Sequence, residues 1–275
     1  MNFNMRPSRV LRKLRAGETA KVMKINSSDT RVIEIAARYG FDCLWIGMEH
    51  IGNDWSVIEH QILAAKAYDV DILCRVSRGG YSDYVRPLEL DASGIMVPHV
   101  MNADDARNVV SMTKFPPVGR RAVDGGNADG GYCNVNFLEY LEKANSERFV
   151  ILQIEDPEAV EVLDEIAAVP GYDMLLFGAG DYSVAIGAPG QMDHPEVKEV
   201  RKKVARAARQ NGKFAGVISG AATLQEYTDM GYSFFSLGAD VVGLSRYFQE
   251  VAAGCGITTS NEPVSQYGSE STGGK

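Results

Sequence analysis

Short apolar runs alternate along the chain with longer segments whose apolar residues recur at spacings of three and four. The short runs predict eight β-strands: AKVMKI (20–25), DCLWIGM (42–48), DILCRVS (71–77), GIMVP (94–98), RFVILQIE (148–155), DMLLFG (173–178), KFAGVIS (213–219) and FFSLGAD (234–240). The longer segments are typical of amphipathic helices that lie on a sheet. Nearly continuous apolar strands joined by helices indicate a parallel sheet covered by helices.

The number of these units predicts the topology of the sheet. Eight strand–helix units close naturally into a (β/α)8 TIM barrel, and the 275 residues suit one such domain. A doubly wound open sheet is the alternative, but no dinucleotide-binding glycine pattern follows the first strand. We assign residues 1–254 to the barrel and predict that the polar, aperiodic residues 255–275 form a disordered tail. The long Pro- and Gly-rich connection at 114–134 indicates a functional loop.

The net charge, the apolar runs and the cysteine spacing indicate which partners and which kinds of protein are unfavourable for this sequence. A formal net charge of -8 makes nucleic acid or an acidic membrane surface a poor partner. The chain has no apolar run long enough to cross a bilayer, and its N-terminus lacks the apolar segment of a secretory signal. The four cysteines form no CxxC pair, which favours buried reduced thiols over disulfides or zinc. These features favour a soluble, cytoplasmic protein.

Polar residues cluster immediately after the predicted strands. In a parallel α/β barrel the active site lies at the C-terminal ends of the strands. The residues at these positions are Glu49, His50, Arg75, His99, Glu155, Asp156, Asp181, Ser219 and Asp240. This concentration of charge predicts an active site at one rim of the barrel without naming a reaction.

Two of these carboxylates are candidate metal ligands. Glu155 and Asp181 follow adjacent strands, so both can point into the same space above the barrel. Two oxygen ligands, completed by water and a chelating substrate, suit Mg²⁺ or Mn²⁺. The alternative is that Asp156, before Pro157, and Asp181 are N-caps of the next helices.

The remaining candidates also allow a structural and a functional interpretation. Arg75 closes an apolar strand, where it could form a structural ion pair or stabilise the charge of an enolate. His50 is a candidate acid or base because the ordinary pKa of histidine lies near neutral pH. The Gly178-Ala179-Gly180 segment could expose backbone N–H groups to a carboxylate at a helix N-terminus.

Four segments follow one another along the chain with the order and spacing of a known family: WIGMEH followed by GND, then GIMVPHV, FPPVGRRAV and a longer segment that begins at QIE. The first three resemble the WIDxEHG segment, the GIMVPxV block and the YPPxGxRG loop of the HpcH/HpaI aldolase family. QIEDPEAVEVLDEIAAVPGYDMLLFGAGDYSVAIG is similar to QIE…AVxNIDEIAAVxGVDxLFIGPADLSxSLG, and the resemblance extends from about residue 10 to about residue 254. It implies a metal-dependent class II aldolase on a barrel of the phosphoenolpyruvate/pyruvate type.

The resemblance also implies roles for single residues. The implied ligands of Mg²⁺, Mn²⁺ or Co²⁺ are Glu155 and Asp181. The implied catalytic residues are His50 and Arg75, the latter contacting the enolate oxygen. The implied substrate contacts are Gln153, Gly178, Ala179, Gly180 and Ile218. The Gly178–Gly180 backbone would take the pyruvate carboxylate, and Ile218 would lie beside the reacting carbon.

The resemblance implies a reaction in which a C3 proton is removed from a 2-oxo acid and the resulting enolate adds to an aldehyde. Cleavage is the reverse of this reaction.

Two residues depart from the family pattern. Gly47 stands where the family has the aspartate that pairs with His50, and Ala179 replaces a proline. His50 would then depend on water, on Asp54 or on a group of the substrate. Two alternatives stay open: a decarboxylase-like enzyme using the same enolate, and a catalytically weakened barrel that binds an oxo acid.

The resemblance further implies a homo-oligomer, commonly a hexamer, with small-molecule substrates. The helix predicted at 241–254 could pack on a neighbouring subunit or simply close its own barrel. The segment 114–134 could bring Arg120 and Arg121 to an adjacent site to bind an acidic aldehyde.

Overall fold

Residues 5–257, described in a computed structural model, contain a closed barrel of eight parallel β-strands. The strands are β1 Ala20–Lys24, β2 Cys43–Gly47, β3 Asp71–Arg75, β4 Gly94–Val97, β5 Phe149–Ile154, β6 Met174–Phe177, β7 Phe214–Ile218 and β8 Phe234–Ala239. Each strand pairs with the next along the chain, and β8 pairs with β1. The eight predicted strands and the (β/α)8 fold are therefore confirmed.

Helices follow the strands around the barrel. Within the described residues they are α1 Arg9–Arg15, α2 Thr30–Arg38, α3 Trp55–Lys66, α4 Tyr81–Glu89, α5 Ala103–Thr113, α6 Phe137–Glu147, α7 Pro157–Glu161, α8 Leu163–Ala168, α9 Ala179–Ala185, α10 Pro195–Gln210, α11 Leu224–Met230 and α12 Asp240–Gly254. The amphipathic sequence pattern is continuous over 157–171, but this segment forms two helices, α7 and α8, because Val162 leaves the helical conformation with φ -110° and ψ 21°. Among residues 5–257, no helix has the length and apolar character needed to span a bilayer.

Two apolar layers stabilise the barrel. Alternate strand residues such as Val22 and Trp45 form an interior cluster, to which α1 adds three buried apolar residues. The intervening residues, such as Leu44, face the surrounding helices. Just before α1, Ser8 donates a 2.6 Å hydrogen bond to Asp71 at the start of β3. This contact places α1 at the N-terminal end of the barrel and leaves the C-terminal end as its mouth.

Four inward-facing side chains form the layer nearest the mouth on the odd-numbered strands. The interior cluster contains Ala20 and Val22 of β1, Leu73 of β3, and Phe149 and Ile151 of β5, and Gly216 of β7 faces side chains of the same cluster. Since side chains on a strand alternate between two faces, the next inward position on each strand lies two residues further. The resulting mouth layer consists of Lys24, Arg75, Gln153 and Ile218. TIM barrels commonly build such layers of four from alternate strands.

The segment 114–134 packs on a small apolar core of its own. Phe115 is buried against Tyr140, at a ring-centroid distance of 5.3 Å. The guanidinium of Arg121 lies 4.5 Å from the Phe115 ring centroid and 2.7 Å from Asp129 Oδ2, and its side chain is buried. Arg121 is therefore held inside its own subunit, which does not support its expected role in binding an aldehyde at an adjacent site.

The last helix, predicted at 241–254, is confirmed as α12. None of its residues is buried against the described residues 5–257. Its exposed large apolar side chains are Val241, Leu244, Tyr247, Phe248 and Val251. Within the described chain, α12 therefore does not bury an apolar face against its own barrel. Of the tail predicted at 255–275, residues 258–275 lie outside the described residues.

Candidate active site

Glu155 follows β5 and is buried at the mouth, with 2% of its surface exposed. Its Oε1 accepts the backbone N–H of His99 at 3.0 Å, and its Oε2 accepts a hydrogen bond from Gln153 Nε2. Burial raises the pKa of Glu155 to about 7; nearby His99 opposes this shift and the negative charge of Asp181 adds to it. A carboxylate whose ionised form is so disfavoured gains from a bound cation.

Asp181 lies in the first turn of α9, close enough to Glu155 to influence its ionisation. Gly178, not Asp181, holds the N-cap position of α9, so the alternative that Asp181 is an N-cap is wrong. A Cβ atom on Gly178 would lie 2.5 Å from Glu155 Oε2, so the close approach of helix and carboxylate requires glycine. As first-turn residues, Ala179 and Gly180 present N–H groups that have no acceptor within α9.

This donor set fits a hard divalent cation. Glu155 and Asp181 offer carboxylate oxygens, and the buried Gln153 Oε1 has no hydrogen-bond partner among the described residues. Between residues 5 and 257, no group of three or more His, Cys, Asp or Glu side chains is placed to hold a metal. A cation here would therefore take two carboxylates from the protein and leave its other positions to water and substrate, which Mg²⁺ and Mn²⁺ accept.

Arg75 and Lys24 both lie against Trp45 inside the mouth. The Arg75 guanidinium is 5.0 Å from the indole centroid and Lys24 Nζ is 5.3 Å from it. Arg75 Nε lies 2.8 Å from Glu49 Oε2, so this arginine does form an ion pair while its side chain reaches the mouth. Burial, followed by the charge of Arg75, lowers the pKa of Lys24 to about 8.

His50 lies at the outer edge of the site. Its side chain is 59% exposed, and its Nε2 lies 3.5 Å from Glu49 Oε2. Asp54, suggested as a partner for His50, caps helix α3, where its Oδ1 accepts the backbone N–H of Val57 at 3.0 Å. At Gly47, a Cβ atom would lie 3.6 Å from the nearest atom, the Arg75 carbonyl oxygen. The glycine at position 47 is therefore not required by crowding around its Cβ position.

His99 is held more firmly than His50. It has a φ of 50° and its Nδ1 lies 2.9 Å from Asp156 Oδ2. Asp156 occupies the N-cap position of α7 but makes no side-chain capping bond there. Burial opposes the charged form of His99, but the hydrogen bond to Asp156 and the nearby carboxylates raise its pKa overall. The sequence places His99 at the rim, yet it stands at the variable position of GIMVPxV, so its fixed position was not predicted.

Of the other residues at the strand ends, Ile218 lines the site and Asp240 has a structural role. Ile218, the last residue of β7, keeps 37% of its surface exposed and gives the mouth an apolar wall. Asp240 accepts the backbone N–H groups of Asn26 and Ser27 at 2.8 and 2.9 Å, so it fixes the loop after β1. The predicted metal, arginine and glutamine positions thus come together at one mouth, while His50 lies at its edge.

Comparison with known proteins agrees with this architecture. Residues 21–246 match the family model described as HpcH/HpaI aldolase/citrate lyase. The chain is 32% identical to hydroxypyruvate/pyruvate aldolase of Pseudomonas aeruginosa, over 89% of this chain and 91% of that protein. It is 33% identical to 2-keto-3-deoxy-L-rhamnonate aldolase of Klebsiella pneumoniae subsp. pneumoniae, over 84% and 86% of the two chains.

A solved structure shows the same fold. The crystal structure of an HpcH/HpaI aldolase from Desulfitobacterium hafniense DCB-2 is similar with a TM-score of 0.85 and 31% identity, covering 92% of this chain and 98% of that one. The family match, the two relatives and the similar solved structure each cover most of the sequence. The chain therefore belongs to the HpcH/HpaI aldolase/citrate lyase family and is an enzyme of the carbon–carbon lyase type.

Proposed function

We propose that the protein is a divalent-metal-dependent class II aldolase acting on a pyruvate-type 2-oxo acid and an aldehyde. The observation that carries this proposal is the buried carboxylate of Glu155, beside Asp181, at the same mouth as Arg75. The names of two relatives, a hydroxypyruvate/pyruvate aldolase and a 2-keto-3-deoxy-L-rhamnonate aldolase, support these substrate classes.

Five residues hold and polarise the oxo acid in this proposal. Glu155 and Asp181 would hold Mg²⁺, Mn²⁺ or Co²⁺, which when bound supplies a Lewis acid and a template for the oxo acid. Arg75 stabilises the negative charge that develops on the enolate oxygen. The N–H groups of Ala179 and Gly180 bind the substrate carboxylate at the start of α9.

The remaining residues orient the site and move the proton. Gln153 donates to Glu155 and fixes that carboxylate. His50 transfers the C3 proton, with Glu49 rather than a residue at position 47 as the carboxylate beside it. Ile218 forms the apolar wall beside the reacting carbon, where it limits the access of water.

Proton exchange at C3 of pyruvate in deuterated water tests this function. We expect NMR to show loss of the methyl signal with Mg²⁺ or Mn²⁺ and no loss after chelation. Absence of exchange with every divalent metal would contradict the aldolase proposal. Tight pyruvate binding without exchange would favour the weakened oxo-acid-binding barrel, and decarboxylation of oxaloacetate without aldehyde chemistry would favour the decarboxylase-like enzyme.

The raised pKa of Glu155 predicts that metal binding depends on pH. Because burial raises this pKa from 4.5 to about 7, the buried group favours its protonated form, and that contribution to stability is lost as pH rises through about 7. A metal requires the ionised form, so Mn²⁺ affinity should rise about fivefold between pH 6 and pH 7 and about twofold between pH 7 and pH 8. Calorimetric titration measures this, and an affinity that is constant from pH 6 to pH 8 would contradict it.

We also propose that the protein is a homo-oligomer, a hexamer by resemblance, in which α12 packs on a second copy of the chain. The support is the row of exposed apolar side chains along this helix. Such a contiguous apolar face is unfavourable in water and is typical of an interface.

Charged substitutions on this face are expected to reduce the size of the assembly. Tyr247 and Phe248 are 59% and 62% exposed, so Tyr247→Glu with Phe248→Glu places two charges in the contact without disturbing a buried core. Light scattering coupled to gel filtration should show a smaller species for the double variant. Glu250→Gln on the same helix is the control, and an assembly size unchanged by the double variant would contradict this interface.

A further inference from the structure

We infer that Lys24 is a further substrate-contacting residue, whose ammonium group binds an oxygen of the bound 2-oxo acid from the β1 side of the mouth. The inference rests on the proposed function, because it concerns the substrate of the same site. Nothing in the strand pattern alone marks this residue, since Lys24, the last residue of β1, lies inside the predicted strand at 20–25.

The position of Lys24 is the first argument. It belongs to the mouth layer, whose other members are Arg75, Gln153 and Ile218. Each of those three is proposed to contact the substrate or to fix its metal ligand. Lys24, on β1, is the fourth member of this layer. A ligand bound over the layer therefore contacts its ammonium group as well.

The burial of Lys24 is the second argument. Two inward residues of the same strand, Ala20 and Val22, are fully buried, and Lys24 continues their face with 8% of its surface exposed. Lys21, on the opposite face of β1, is exposed. Structural lysines usually extend their ammonium group to water, whereas Lys24 keeps its charge in the mouth and has its pKa lowered to about 8 by burial and by Arg75.

The arrangement of charge is the third argument. Lys24 and Arg75 lie against one indole ring and repel each other. The carboxylates that counter this repulsion at Lys24 are Glu49, Asp181 and Asp240. Of these, Glu49 is also ion-paired with Arg75, so its charge is shared between the two cations. An anionic ligand between the two cations would relieve their repulsion, as a 2-oxo acid or its enolate can.

A purely structural role for Lys24 makes a different prediction. If Lys24 only balances the nearby carboxylates, its removal should tighten binding of a divalent cation at Glu155 and Asp181 and leave the affinity for pyruvate unchanged. If Lys24 contacts the oxo acid, its removal should weaken pyruvate binding to the metal-loaded protein. The two roles are therefore separated by measuring both ligands.

Calorimetric titration of the full-length Mn²⁺-loaded protein with pyruvate tests the inference. Lys24→Met should weaken pyruvate binding about tenfold or more, the effect of losing one charge-assisted contact. Lys24→Arg, which keeps the charge, should recover most of the affinity, and Lys21→Met on the exposed face of β1 should match wild type. Lys24→Gln replaces Lys24→Met if the thermal melt shows that the methionine variant is unfolded.

The outcomes distinguish this inference from the proposed function. Wild-type affinity for pyruvate in both neutral variants, with tighter Mn²⁺ binding, would overturn the inference and assign Lys24 to charge balance. Failure of the wild-type protein itself to bind pyruvate and to exchange its C3 protons would refute the proposed function, and the inference with it.

Discussion

Replacing Glu155 by glutamine is expected to abolish metal-dependent exchange at C3 of pyruvate. The substitution keeps the size of the side chain but removes the negative charge that would hold the metal in the proposed function. Since a bound metal contributes several kcal/mol to stabilising developing charge, the exchange rate should fall by about 1000-fold or more. The affinity for Mn²⁺ should fall in the same variant, which calorimetry measures independently of turnover.

The control for this substitution lies three residues away. Glu158 is exposed on α7, so Glu158→Gln makes the same chemical change outside the mouth and should leave exchange and Mn²⁺ affinity as in wild type. The melting temperature of the metal-free protein checks that the variant folds. Burial disfavours the charged form of Glu155, so its neutral replacement should not lower this melting temperature above pH 7. Retention of metal-dependent exchange in Glu155→Gln would exclude Glu155 as a required ligand.

The fold could be predicted because the barrel repeats one simple pattern. The stretch FVIL (149–152) is apolar throughout because β5 is buried on both faces, by the interior cluster and by the helices. Glycines at the ends of helices adopt positive φ, as at Gly40 and Gly231 with 82° and 105°. Element boundaries were less accurate at α7 and α8, where Val162 interrupts a periodic pattern that continues unbroken in the sequence.

The residue pattern alone indicated site residues at or just after the end of a predicted strand, whereas Gln153, inside β5, was indicated by the family resemblance. Glu155 and Arg75 were found because parallel strands bring their C-terminal ends together. Lys24 was missed because it lies inside the run AKVMKI, and its inward direction depends on which face of β1 closes the barrel. The N-cap alternative for Asp181 was wrong because α9 begins at Ala179, two residues before the acidic residue that resembles a cap.

Replacing Arg75 by lysine is expected to reduce the rate of C3 exchange by about 100-fold, because one donor to a developing oxyanion contributes that much. The guanidinium of Arg75 pairs with Glu49 through Nε at 2.8 Å and lies on the Trp45 ring while its other N–H groups remain available to a ligand. A lysine ammonium is a single point charge and cannot serve Glu49 and an enolate together. Arg78→Lys, on an exposed arginine paired with Asp105, is the matched control and should keep the wild-type rate.

A double-mutant cycle separates the two roles of Arg75. If Arg75 serves only to hold Glu49, then Glu49→Gln should lose as much activity as Arg75→Lys, and the double variant should lose no more than either alone. If Arg75 stabilises the enolate, its effect is separate from that of Glu49 beside His50, so the double variant should be about 10-fold or more slower than Glu49→Gln alone, while Mn²⁺ affinity changes little. Exchange by Arg75→Lys within about threefold of wild type would leave Arg75 as a structural ion pair. The metal and Lys24 would then be the groups that stabilise the negative charge of the enolate.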